Sequence, residues 1–245
     1  MNIKIISNHA GIFARVMLIV QTIRYSNINV DNVDTIYLES KNGGVGHNLF
    51  NYVIDQEELP IYDVTLNTKL YKHYNRLTED SDLITFKSIF NKIKIKDSIL
   101  NMVDDRITNN TLGVHIRLTD MNSMHGKDYG VKTFDDYLMV IDRLMGDDTM
   151  GNMFISSDNS ESISKISNKY NIITNQGISN RHSSEVDNGD YNKSLRAQIS
   201  ESRLWEDSFL DMVSLSKCGV LIKNVSSLSN TSIIVSDTIN KVWYI

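Results

Sequence analysis

The sequence predicts an α/β protein built on mostly parallel sheets and divided into two lobes. Short apolar runs rich in β-branched residues, at 3–6, 112–116 and 219–223, alternate with longer segments whose apolar residues recur at helical spacing. Such alternation implies crossover connections, which generate parallel sheets. The chain has 245 residues, 41% of them apolar, enough for one large domain or for two lobes of roughly 100–150 residues each. On pattern alone the boundary falls near Asn109-Asn110, giving an N-terminal lobe, 1–110, and a C-terminal lobe, 111–245.

Residues 3–6 form the first β-type run. Asn8-His9-Ala10-Gly11 reads as a turn, and Ile12, Val16, Ile19 and Ile23 then recur at helical spacing. Residues 35–38 fit a second strand, Gly43-Gly44-Val45-Gly46 a flexible loop, and 83–107 a largely helical stretch with charged residues outward. The second half is more regular. Residues 112–116 are a strand, and Thr133 can cap a helix whose apolar face carries Phe134, Tyr137, Leu138, Ile141 and Leu144. A strand at 153–156, a helix at 160–170 and a strand at 171–174 follow, then a polar loop from 175 to about 193. Helices at 204–215 and 228–235 flank a strand at 219–223, and 242–244 fits a last strand. The single proline, Pro60, marks no linker, and no internal repeat is visible.

Bulk properties exclude several classes. A formal charge of −5 gives no general attraction to nucleic acid or to an anionic membrane. The single cysteine, Cys218, rules out an intramolecular disulfide and a Cys-rich zinc site, and its place before an apolar run suits a small buried hydrophobe. No segment has the ~18 consecutive apolar residues a membrane span needs. The apolar run at 12–20 is interrupted by Arg15 and lacks a following small-residue cleavage site, so the expected location is cytoplasmic.

Ligands of open parallel sheets bind beyond the carboxyl ends of the strands. Such ends here are His115-Ile116-Arg117-Leu118-Thr119-Asp120, Ser156-Ser157-Asp158-Asn159 and Asn224-Val225-Ser226-Ser227. The last two run into helices, whose free N–H groups can meet an anion. Arg117 can grip a phosphate through two parallel hydrogen bonds, and His115 shares its face by strand alternation. Asp120 can hold that guanidinium or contact a sugar hydroxyl. Asp158 can accept from a base or ribose, Ser226 and Ser227 can donate to phosphate, and Gly11 can allow a ligand close to the backbone. Each also has a plainer role: a surface ion pair for Arg117 and Asp120, a turn for Asp158 and Gly11, and helix capping for the serines. Gly43-Gly44-Val45-Gly46 lacks the ending of a Walker loop, and neither HExxH nor GxSxG occurs. Asp147-Asp148 reads as a solvated loop, so no metal site is expected.

These pieces, in this order, resemble one family. Gly113-Val114-His115-Ile116-Arg117-Leu118-Thr119-Asp120 looks like the HxRRTD motif of the α-1,6-fucosyltransferases and nodulation fucosyltransferases, with related motifs in protein O-fucosyltransferases. Thr133-Phe134-Asp135-Asp136-Tyr137-Leu138 fits the helix that follows, and Phe154-Ile155-Ser156-Ser157-Asp158-Asn159 the strand with an acidic turn. An aspartate-bearing helix with Asp207, the strand Gly219-Val220-Leu221-Ile222 and the pair Ser226-Ser227 complete the series. Gly11-Ile12-Phe13-Ala14-Arg15 is similar to the family's first glycine turn and helix. The match covers about 112–235.

The resemblance implies a GT-B architecture, two Rossmann-like lobes with a cleft between them. The N-terminal lobe would be the acceptor side, and the C-terminal lobe would bind the nucleotide sugar. It further implies inverting, metal-independent transfer of fucose from GDP-fucose to a glycan hydroxyl, with no cofactor. Carried over by position, Arg117 would bind the diphosphate and support its departure, with His115 and Asp120 assisting. Asp158 would lie near the nucleoside, Ser226 and Ser227 near the phosphate, and Gly11 at the donor site. Leu118 stands where the family has a second arginine, and the chain is short for the family, which implies a reduced acceptor lobe. For the general base that an acceptor hydroxyl needs, Asp120, Asp128 and Glu185 are the acidic candidates in polar segments. A transferase using another nucleotide sugar, or a non-catalytic module of the same fold that binds a nucleotide or glycan, would leave a similar sequence.

Overall fold

Strand β1 (Asn2–Ser7) alternates inward Ile3, Ile5 and Ser7 with half-buried residues, the period-two pattern of a sheet with one side in the core. The computed structural model describes residues 1–7, 12–40, 48–68, 80–118, 132–146, 150–175 and 201–245, excluding the side chains of 12, 80, 81, 201, 202 and 204. β1 is the middle of a parallel three-stranded sheet, flanked by β2 (Thr35–Ser40) and β3 (Val64–Asn67). Helix α1 (Ile12–Tyr25) follows β1 and buries Phe13, Val16, Met17, Ile19, Val20 and Ile23.

The stretch expected to be largely helical, 83–107, is helical only in part. α2 (Asp80–Phe90) ends in a turn closed by Ile93 N–H donating to Phe90 O, and an isolated antiparallel bridge then joins Ile95 to Ile54. Only the short α3 (Asp97–Leu100) resumes helical geometry. Lys92-Ile93-Lys94-Ile95-Lys96 alternates strictly between polar and apolar residues, which suits extended backbone rather than a helix.

The second sheet is parallel throughout, in the order β6-β5-β4-β7-β8. Its strands are β4 (Thr111–Ile116), β5 (Asn152–Ser157), β6 (Ile172–Ile173), β7 (Val220–Lys223) and β8 (Lys241–Tyr244). Central β4 is buried along its whole length. Leu112, Val114 and Ile116 pack on one face against Tyr137, Ile141 and Leu144 of α4 (Phe134–Gly146) and Ile163 and Ile166 of α5 (Ser160–Ser167). α4 begins with a reciprocal cap: Thr133 Oγ1 accepts from Asp136 N–H, and Asp136 Oδ2 accepts from Thr133 N–H at 2.7 Å. The opposite face of β4 meets the end of α6 (Glu201–Lys217). A Cβ on Gly113 would lie 3.0 Å from Cys218 Sγ and 3.3 Å from Leu215, so the glycine permits that approach. Cys218 is fully buried, and burial pushes its thiol pKa up, as suits an inert packing residue.

α6 and α7 (Ser227–Val235) cross to the other lobe. Trp205, Phe209, Met212 and Val213 of α6 and Ile234 of α7 belong to the same hydrophobic cluster as β1, β2, α1 and α2. Phe209 lies between Phe13 and Trp205, with ring centroids 5.2 Å and 6.4 Å away. Trp205 meets Phe50 edge-on at 5.0 Å. Lys87 of α2 donates to Ser236 O just past the end of α7, placing a cation at the negative end of that helix. Among the described residues no helix is long and apolar enough to cross a membrane.

Candidate functional site

The carboxyl ends of β4, β5 and β7 meet at one edge of the second sheet, and parallel register fixes what stands beside what. His115 of β4 pairs with Ser156 of β5 on one side and Lys223 of β7 on the other. Paired residues of a sheet project to the same face, so these three occupy the side covered by α6 and α7. All three are buried. Ser156 donates its hydroxyl to Asp211 Oδ2 of α6 at 2.8 Å, and Asn175 donates to Asp211 Oδ1 at 2.7 Å. A buried polar layer thus underlies the strand ends, with Asp211 neutralised in part by two donors.

Just beyond β4 the backbone is held from both sides. Asn224 Nδ2 donates to Arg117 O at 2.9 Å, and Leu118 N–H donates to Asp158 Oδ1 at 3.1 Å. Asp158 N–H in turn donates to Ile116 O at 3.3 Å. The half-buried Arg117 is therefore carried on a segment fixed by residues that follow β5 and β7. Nearby, the Tyr137 phenol is fully buried, and that burial raises its pKa, so it stays neutral.

α7 starts at this junction with Ser226 as its N-cap in extended conformation. The usual side-chain cap is missing. Ser226 Oγ is buried with no hydrogen-bond partner among the described residues, and so is Asn224 Oδ1. Buried polar atoms are normally paired, so two such atoms at one helix start suit a ligand that completes them. The helix start supplies backbone N–H groups and the positive end of the helix dipole.

Of the residues singled out in the sequence, His115, Arg117, Asp158, Ser226 and Ser227 meet at this edge. Asp120 and Gly11 lie outside the described residues, as do His9, Gly43-Gly44-Val45-Gly46, Asp128, Asp147-Asp148, Glu185 and most of the polar loop read from 175 to about 193. The sequence reading missed the pinning role of Asn224 and the burial of Lys223. For Asn224 a signal existed, an amide just after an apolar strand; nothing local distinguishes Lys223 from a solvated strand-end lysine. Among the described residues no group of three His, Cys, Asp or Glu is placed to hold a metal ion.

No protein-family model matches the sequence, and no curated protein matches it. Solved structures do match. NodZ α-1,6-fucosyltransferase soaked with GDP-fucose superposes with a TM-score of 0.55 at 12% identity, covering 95% of this chain and 92% of that one. Fucosyltransferase NodZ from Bradyrhizobium gives 0.54 at 12% identity, over 94% and 91% of the two chains. Arabidopsis thaliana FUT1 in complex with GDP gives 0.55 at 9% identity, over 99% of this chain and 70% of that one. The fold is the one these fucosyltransferases share. It is α/β, as the alternation of strands and helices predicts, and GT-B-like, as the family resemblance implies.

Proposed function

We propose that this protein is a glycosyltransferase that moves fucose from GDP-fucose to a hydroxyl of a glycan acceptor, with inversion and without a metal. The observation that carries the reading is the junction of β4, β5 and β7 with the start of α7. There Arg117 rides on a backbone clamped by Asp158 and Asn224, and Ser226 offers an unpaired buried hydroxyl. Solved structures with this fold include one soaked with GDP-fucose, one co-crystallized with GDP and one in complex with GDP.

The reaction breaks the bond between the sugar C1 and the β-phosphate oxygen, and the electron pair leaves with GDP. Charge accumulates on the departing diphosphate. Arg117, the Ser226 hydroxyl and the first N–H groups of α7 are fixed donors that can stabilise this charge without reorganising. The acceptor hydroxyl attacks from the opposite face, which inverts the anomeric centre, and gives its proton to a carboxylate. Asp120, Asp128 and Glu185 remain the candidates for that base. His115, buried between Ser156 and Lys223, assists at the donor site in this reading.

The test is a thermal-shift series with GDP, UDP, ADP and CMP, because a ligand that binds only the folded state raises its stability by mass action. GDP should raise the melting temperature most, and GDP-fucose turnover should persist in EDTA. Equal or greater stabilisation by UDP removes the guanine assignment. Strict dependence on Mn²⁺ or Mg²⁺ removes the metal-free mechanism.

A further inference from the structure

β7 ends on Lys223, whose side chain is only 1% exposed. Its Nζ donates to Asn230 Oδ1 of α7 and lies 4.9 Å from the centroid of the Tyr244 ring. It has no carboxylate partner among the described residues. Such an amine is costly as a cation, and an apolar residue of similar volume would be tolerated at least as well. Stability therefore does not account for it. Its location does suggest a use. Asn224, the next residue, holds the carbonyl of Arg117, and Ser226 opens α7 with an unpaired buried hydroxyl. Asn230 lies one turn into α7 and donates its N–H to Ser226 O, so the amine bonds a side chain of the first turn, whose backbone lies about 6 Å along the axis from the helix start.

We propose that Lys223 is a buried counter-cation for the diphosphate seated at the start of α7, taking up a proton as that anion binds. This rests on the donor-site reading above and adds a residue to it. Burial alone pulls the Lys223 pKa down to about 7, so above neutral pH the empty site holds mostly a neutral amine. An anion in front of it favours the ammonium and draws a proton from solvent. The surrounding groups do not supply that charge. α7 contributes no ionisable side chain. β4 contributes His115, and β8 contributes Tyr244, whose side chain is largely exposed to solvent. On α6, Asp211 is held by Ser156 and Asn175. Arg117, beyond β4, is a further cation and cannot act as the counter-charge.

The experiment is isothermal titration calorimetry of the full chain at pH 8, with GDP and with inorganic pyrophosphate, in buffers of low and high ionisation enthalpy. The same titrations are run on Lys223→Met and Lys223→Gln. Comparing proteins cancels the ligand's own titration. The native protein should take up close to one proton more than either variant per GDP bound, and bind it at least about tenfold more tightly. The glutamine variant keeps a polar contact for Asn230, so it supplies the reading if the methionine variant does not fold. A merely structural lysine would not change proton uptake. Equal uptake and equal affinity in native and variant proteins overturn the proposal. Pyrophosphate binding that depends on Lys223, without any preference for GDP, upholds the lysine and removes the guanine reading. A native protein that binds neither ligand overturns both.

Discussion

Arg117→Lys tests the site most directly, because the structure separates what the side chain does from what holds its backbone. The carbonyl of Arg117 is fixed by Asn224 Nδ2 at 2.9 Å and the following N–H by Asp158 Oδ1 at 3.1 Å. Neither bond involves the guanidinium, so both survive the substitution. The position is half-buried and the positive charge is kept, so the stability cost should stay under ~1 kcal/mol, or about 2–4 °C in melting temperature for a chain this size. What disappears is the planar two-point grip on a phosphate. Losing a preorganised donor at a centre of developing charge costs about 10²–10³ in rate, or ~2.7–4 kcal/mol. The assay is GDP release from GDP-fucose, followed with and without acceptor, alongside melting curves. Arg143→Lys is the control. Arg143 is exposed on α4 over the Trp243 ring at 5.4 Å, a contact lysine can also make, and turnover should not change. Near-normal turnover by Arg117→Lys would refute the diphosphate clamp.

Other substitutions probe the supports. Asp158→Ala removes the acceptor for Leu118 N–H and should weaken GDP binding by roughly tenfold. Asp158→Asn keeps an Oδ1 acceptor and should restore most of it; if asparagine is as poor as alanine, the carboxylate charge matters and the pinning account is wrong. Phe209→Ala empties a fully buried position between Phe13 and Trp205 and should cost about 3–5 kcal/mol in denaturant unfolding, whereas a cost below 1 kcal/mol would mean that α6 is not part of the N-terminal core. For Lys223 the folded pKa of about 7 lies below the unfolded value near 10.4, so between these pH values the unfolded chain binds more protons and stability rises with pH. The native protein should gain up to ~1.4 kcal/mol per pH unit over Lys223→Met between about pH 7 and 10, and nothing below 7. A flat difference would show that the amine is not neutral in the folded state.

Much of the second sheet is legible from local pattern alone. The run from Leu112 to Ile116 is apolar because β4 is covered on both faces, and Thr133 marks the start of α4 through a capping exchange visible in the spelling. β3 carries no strong local signal, because Val64-Thr65-Leu66-Asn67 exposes alternate residues and has no continuous apolar run. The break after Phe90 was readable in the alternating lysines and isoleucines, but the surrounding helical residues outweighed it. Arg117, Asp158 and Ser226 could be singled out as residue types after strands. Their junction depends on the order in which β4, β5 and β7 pair, and no local pattern encodes that order. The burial of Lys223 is tertiary for the same reason: Tyr244 and Asn230 cover it from later elements.

α7 starts beside Arg117 and finishes in the other lobe, where Ile234 enters the core of α1 and α2 and Lys87 holds the backbone just past its last turn. Nine residues of helix make a strut of about 13 Å with little give along its axis. Its first turn stands at the strand ends of the second sheet and its last turn in the core of the first, so one rigid element is shared by both lobes.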